Sequence, residues 1–276
     1  MPQFAANLSL LYPELDFLDR FEVAAQDGFQ AVEFLFPYAY EVKELAARLR
    51  GNGLQQVLFN MPPGGLDSAS FQSAWHQGNR GTACVPGREA EFQAGLRHAI
   101  NYAVQLDCPR IHTMVGILPA EVSPERGQAT LLSNLTWACQ TARANGLDLL
   151  IEPINLRSIP GFFLNRQDHA HQILALVNEP NLKVQMDLFH CQIVEGDLTA
   201  KLESYLPTGR VGHLQIADVP HRHEPGTGEL NWSYLFDLID ALSAKCAQPI
   251  WVGCEYIPAD SLAHGTTKGL VWMNQH

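Results

Sequence analysis

The chain has no CxxC pair, no basic run, no complete glycine-rich phosphate loop and no apolar stretch long enough to span a bilayer. Each absence removes a class of function. The six cysteines, at positions 84, 108, 139, 191, 246 and 254, stand singly, which is the pattern of reduced buried thiols and not of a disulfide framework. Lys and Arg total 18 against 29 Asp and Glu, a net charge of -11. That balance excludes a nucleic-acid partner, because affinity for a phosphate backbone comes from clustered cations. The opening segment MPQFAANLSLLYPELD carries neither the basic region nor the apolar core of a signal peptide, so the sequence predicts no membrane association and a cytoplasmic location. Gly226 and Gly228 lack the third glycine and the strand-to-helix setting of a dinucleotide fingerprint, so no nucleotide cofactor is expected. Charged residues are 17% and hydrophobic residues 46%, enough for a full core.

What is present is an alternation. Eight short β-type runs are readable: FAANLSL near residue 4, GFQAVEFLF near 28, LQQVLF near 54, RIHTMV near 110, LDLLIE near 147, LKVQMD near 182, VGHLQIA near 211 and PIWVGCEY near 249. Helical stretches separate them, predicted over Glu14 to Gln26, Val42 to Arg50, Arg88 to Leu106, Pro124 to Ala144, Asp168 to Val177, Leu198 to Tyr205, Trp232 to Ala244 and Leu262 to Asn274. Eight βα units in 276 residues predict a (β/α)8 TIM barrel, an α/β fold here expected to be one domain over residues 1–276. The longest irregular segment, Asn60 to Gly87, is expected to cover the carboxyl ends of the strands.

The active site of such a barrel lies at those strand ends. Strand five ends in Glu152, strand six in Asp187, strand seven offers Gln215 and strand eight ends in Glu255. Because side chains alternate along a strand, Leu150, Gln185, His213 and Gly253 share their faces and form the layer beneath. An oxygen-only set of three carboxylates and one amide suits Mg²⁺ or Mn²⁺ better than Zn²⁺. Single strand-end acids also serve as helix caps, but four donors on four consecutive strands make a site the better account. His190 is a candidate to orient a substrate hydroxyl, and Arg222 to clamp a carboxylate. Glu33 on strand two and His112 on strand four are expected to support the structure. His169 and His171, two apart on a helix, cannot form a metal pair. Arg88 and Glu89 read as a helix start with a salt bridge.

Several motifs together resemble the hydroxypyruvate isomerase family of xylose isomerase-like barrels. They are IEPIN with IPGF at 151 to 162, QMDLFH at 185 to 190, HLQIAD with HRHEPGTGELNW at 213 to 232, and GCEY at 253 to 256. FAANLSLLY, VEFLFPY and TACVPGREAEF are similar to that family's N-terminal half. The resemblance implies Glu152 and Glu255 as proton donor and acceptor, and Glu152, Asp187, Gln215 and Glu255 as ligands of a divalent metal. Related ketose epimerases often have histidine where Gln215 stands. The implied substrate is a small hydroxy or oxo acid. The reaction would interconvert hydroxypyruvate and 2-hydroxy-3-oxopropanoate; a four-carbon oxo acid or a ketose is the alternative, and a noncatalytic binding protein a further one. A homo-oligomer is compatible with this reading.

Overall fold

The computed structural model describes residues 2–247 and 250–274. Eight parallel strands follow one another in chain order and close into a barrel. They are β1 Gln3–Asn7, β2 Ala31–Phe34, β3 Gln55–Asn60, β4 Arg110–His112, β5 Asp148–Ile151, β6 Leu182–Asp187, β7 Val211–Ile216 and β8 Trp251–Cys254. The expected TIM barrel is the fold observed. Pro249, with which the eighth run was expected to begin, lies outside the described residues. No helix among the described residues is long and apolar enough to cross a membrane.

Two compact units make up the chain. The first contains residues 1–34, 45–57 and 186–276. In it β1 pairs with β2 and with β8, and β8 with β7, so that Gln215, Gly253, Ala5 and Ala31 lie in one continuous register. Helix α1 (Arg20–Gln26) covers only the second half of the expected stretch; a 3-10 turn at Phe17–Asp19 precedes it. The Arg20 guanidinium donates to the Leu8 and Leu15 carbonyls, satisfying two oxygens of the irregular segment that precedes the helix. Helix α9 (Trp232–Ser243) starts where predicted, with Asn231 accepting from the Tyr234 N–H. Its Leu235, Ile239 and Leu242 are buried, as the helical spacing requires.

The C-terminal helix differs from expectation. A single helix over Leu262 to Asn274 is replaced by α10 (Gly265–Gly269) and a 3-10 turn, Leu270–Asn274. Gly265 packs so tightly that a Cβ there would sit 1.8 Å from the Asp260 carbonyl oxygen. Tertiary packing, not helix propensity, sets this segment.

The second unit contains residues 35–44 and 58–185, with β4 hydrogen-bonded between β3 and β5, and β6 beside β5. Helix α4 (Glu89–Leu106) buries Phe92, Leu96, Ala99 and Ala103 at helical spacing and ends at Asp107 in the left-handed region, φ 52°. Helix α5 (Pro124–Arg143) has Ser123 as N-cap and proline in its first turn. The segment between Asn60 and Gly87 is not wholly irregular: α3 (Ser68–Ser73) forms inside it, closed by a capping box between Asp67 and Ser70. Gly81, at φ 112°, lies where a Cβ would stand 2.2 Å from the Met114 carbonyl. Glycine there is what lets this loop lie against the exit of β4.

Candidate active site

Glu152 directly follows β5 and is buried. Its Oε2 lies 3.7 Å from Nε2 of His112. The other ring nitrogen of His112 is 3.0 Å from Oδ1 of Asn60, its register partner on β3. Asn60 fixes the His112 ring and turns the opposite nitrogen toward the Glu152 carboxylate.

Asp187 ends β6 and at once caps the next helix, α7 (Leu188–Val194), through Oδ1, which accepts from the Phe189 N–H at 2.8 Å. This helix was not predicted, because no break separates it from the strand. The cap and the ligand readings of Asp187 thus coexist: one oxygen is used and Oδ2 remains. His190, on the first turn of α7, brings Nε2 to 3.5 Å from that Oδ2. Arg222 reaches the same oxygen at 3.7 Å and Oε2 of Glu255 at 3.0 Å, with its guanidinium over the Phe189 ring. Burial drives the Asp187 carboxyl above its ordinary value, with Arg222 opposing. Burial likewise raises Glu255 to about 8, against the pull of Arg222 and helped by the negative charges of Asp187 and Glu33. Burial and its anionic neighbours thus favour the neutral form of Glu255 in the metal-free protein.

Gln215 lies in β7 with its Nε2 donating to Oε1 of Glu33 at 2.8 Å. Glu33 also receives Asn7 Nδ2 at 2.9 Å and pairs with Nε2 of His213. The layer beneath the donors behaves differently from the expectation. His213 serves Glu33 and not the donors directly, and Gly253 contributes empty space, because a Cβ there would lie 2.2 Å from the Glu33 carboxylate.

Asp218 organises the loop after β7, a role that the motif reading did not assign to it. Its two oxygens accept from the N–H groups of Val219, Gly226, Gly228 and Leu230, folding the glycine-containing loop around one carboxylate. The turn so made holds Arg222 at φ 61°. The Arg222 carbonyl accepts from Ile257, and Glu224 accepts from Ala259, which ties this loop to the segment after β8. A lone aspartate followed by two glycines was the available signal. Arg88 pairs with Glu91, not Glu89, at 2.6 Å; the i,i+3 partner shares its helix face and the adjacent residue does not.

The donor set fits a hard divalent cation. Asp187 Oδ2 and Glu255 Oε2 are buried carboxylate oxygens that Arg222 faces at 3.7 and 3.0 Å. His190, buried with Nε2 3.5 Å from Asp187 Oδ2, stands beside the expected ligands as a further candidate donor.

Residues 21–276 match the family model described as xylose isomerase-like TIM barrel. The chain belongs to that family. Among its relatives, 2-oxo-tetronate isomerase of Cupriavidus necator is 50% identical over 276 residues, covering 100% of this chain and 99% of that protein. Hydroxypyruvate isomerase of Escherichia coli K12 is 45% identical, with 100% of both chains covered. The solved structure titled AP endonuclease, family 2, from Brucella melitensis is 41% identical with a TM-score of 0.90, covering 100% of this chain and 99% of that one. Full-length likeness to named isomerases on this fold makes the chain an isomerase of the xylose isomerase-like family.

Proposed function

We propose that this isomerase interconverts hydroxypyruvate and 2-hydroxy-3-oxopropanoate by proton transfer through an enediol, with Glu152 and Glu255 as the two proton-transfer groups. The observation that carries the reading is the burial of Glu255 with Arg222 3.0 Å from its Oε2, a setting in which burial raises the carboxyl and the guanidinium opposes it, as suits a group that both gives and takes a proton. In the forward direction Glu152 takes a proton from C3 while the C2 carbonyl oxygen gains one, giving the enediol. Glu255 then returns a proton to C2, and the C3 hydroxyl loses its own to leave the aldehyde. Atoms and electrons balance without a redox cofactor.

Arg222, held over Phe189, suits the substrate carboxylate, since guanidinium recognises it with directed N–H groups. His190 suits a substrate hydroxyl. Glu152, Asp187, Gln215 and Glu255 would hold Mg²⁺ or Mn²⁺, with His190 adjacent. Such an ion, when bound, supplies charge stabilisation for the enediolate oxygens.

A second substrate is favoured by the 50% identical relative named 2-oxo-tetronate isomerase. A 2-oxo-tetronate carries the same first three carbons as hydroxypyruvate with one more hydroxymethyl group on C3, so the same two glutamates serve it. A phosphodiester substrate fits poorly with a net charge of -11 and an oxygen-rich donor set.

Both acids incubated in D₂O and followed by NMR distinguish these readings. Deuterium should enter the carbon-bound positions of the true substrate, and Glu152→Gln or Glu255→Gln should slow that exchange by about 10²- to 10⁴-fold. Exchange at the wild-type rate in both variants removes the glutamate assignment. Exchange in neither acid removes both substrates.

A further inference from the structure

The Glu33 carboxylate sits in a part of the barrel interior where branched apolar side chains ordinarily pack. It is 1% exposed, and burying an ion there costs several kcal/mol unless it is fully paired. The sequence makes two concessions to keep it. Gly253 is small, which leaves room for a side chain that comes from β2 and reaches β7. A Cβ on Gly253 would lie 2.2 to 2.4 Å from all three carboxyl atoms of Glu33. Asn7, His213 and Gln215 turn polar groups onto its two oxygens.

One consequence concerns the amide of Gln215. A carboxylate accepts and cannot donate, so Glu33 Oε1 admits only the NH₂ end of Gln215, at 2.8 Å. The carbonyl oxygen must then face away from Glu33. A flipped amide would present N–H groups, which do not bind a cation. We propose that Glu33 is a positioning residue that fixes the amide orientation of Gln215, so that its carbonyl oxygen, and not its nitrogen, is offered to a divalent cation. This rests on the reading of Gln215 as a ligand given above. Asn7 holds the same Glu33 oxygen at 2.9 Å and His213 holds the other, which stops the carboxylate from turning.

An exchange of the two side chains tests this. Mn²⁺ affinity is measured by calorimetry on metal-free wild type, Glu33→Gln, Gln215→Glu and the double variant, with the melting temperature of each metal-free protein recorded beside it. Glu33→Gln should weaken Mn²⁺ about 10- to 100-fold, because the new amide no longer dictates which end of Gln215 faces it. Gln215→Glu alone should also bind more weakly, since two carboxylates then share one contact. The double variant restores one amide against one carboxylate and should recover Mn²⁺ binding to within about tenfold of wild type, a strongly non-additive cycle. Losses that simply add in the double variant, or a Glu33→Gln protein that binds Mn²⁺ like wild type, overturn the positioning role while leaving the metal reading intact. A wild-type protein that binds no Mn²⁺ overturns both. If the single variants fail to fold and the double variant folds and binds, the exchange itself carries the result.

Discussion

Replacing Glu255 with glutamine should stabilise the metal-free protein at alkaline pH while it stops turnover. The carboxyl is raised from 4.5 to about 8, so between those values the folded protein holds a proton that the unfolded chain has released. Stability therefore falls as pH rises through this window and is level, for this group, on either side of it. A displacement of that size corresponds to a preference for the neutral form of about 5 kcal/mol. Relaxation and water entry around the ionised group will reduce it. If about 2 kcal/mol survives, the melting temperature of wild type should drop by roughly 4–8 °C relative to Glu255→Gln on going from about pH 5 to about pH 9. The amide has nearly the shape of the protonated acid and no charge to desolvate, so the two proteins should melt together at the acid end. The assay is a series of thermal melts in chelator across that range, read by circular dichroism. Parallel curves for the two proteins, or a wild type that gains on the variant as pH rises, would refute the reasoning.

Arg222→Lys should raise KM about 10- to 100-fold with a smaller effect on kcat, because an ammonium cannot reproduce the directed guanidinium donors on a bound carboxylate; steady-state kinetics read the split, and an unchanged KM removes the clamp. Asp218→Asn sets an NH₂ group against the N–H donors that the carboxylate now satisfies, at a cost of about 1–3 kcal/mol for each donor orphaned. Its first sign should be proteolytic nicking between residues 219 and 230, and a loop as resistant as wild type would show that the carboxylate is not what folds it. Gly228→Ala should nick in the same place, since its Cβ would lie 2.0 Å from the Val219 carbonyl oxygen.

Periodicity carried the barrel. Strands and helices this regular each declare themselves within a few residues, and parallel connection through a helix leaves few ways to arrange eight of them. The same logic placed Glu152, Asp187, Gln215 and Glu255, because a strand end in this fold is already a location. Helix α7 was hidden because Asp187 ends a strand and caps a helix in the same residue, so no turn marks the boundary. The C-terminal helix failed for the opposite reason: a readable helical pattern was overruled where Gly265 lies against the Asp260 carbonyl and Thr266 accepts from the Tyr12 N–H.

The sequence by itself determined the fold class, the strand ends at which Glu152, Asp187, Gln215 and Glu255 stand and the anionic balance of the chain, all of which depend on local pattern and composition. The tertiary structure alone decided what surrounds those side chains. Glu33 and Gln215 are 182 positions apart, and Arg222 meets Asp187 and Glu255 from a loop folded around Asp218. Burial and charge proximity are properties of distance in space, and those alone push the Glu255 carboxyl upward and set the Gln215 amide against Glu33.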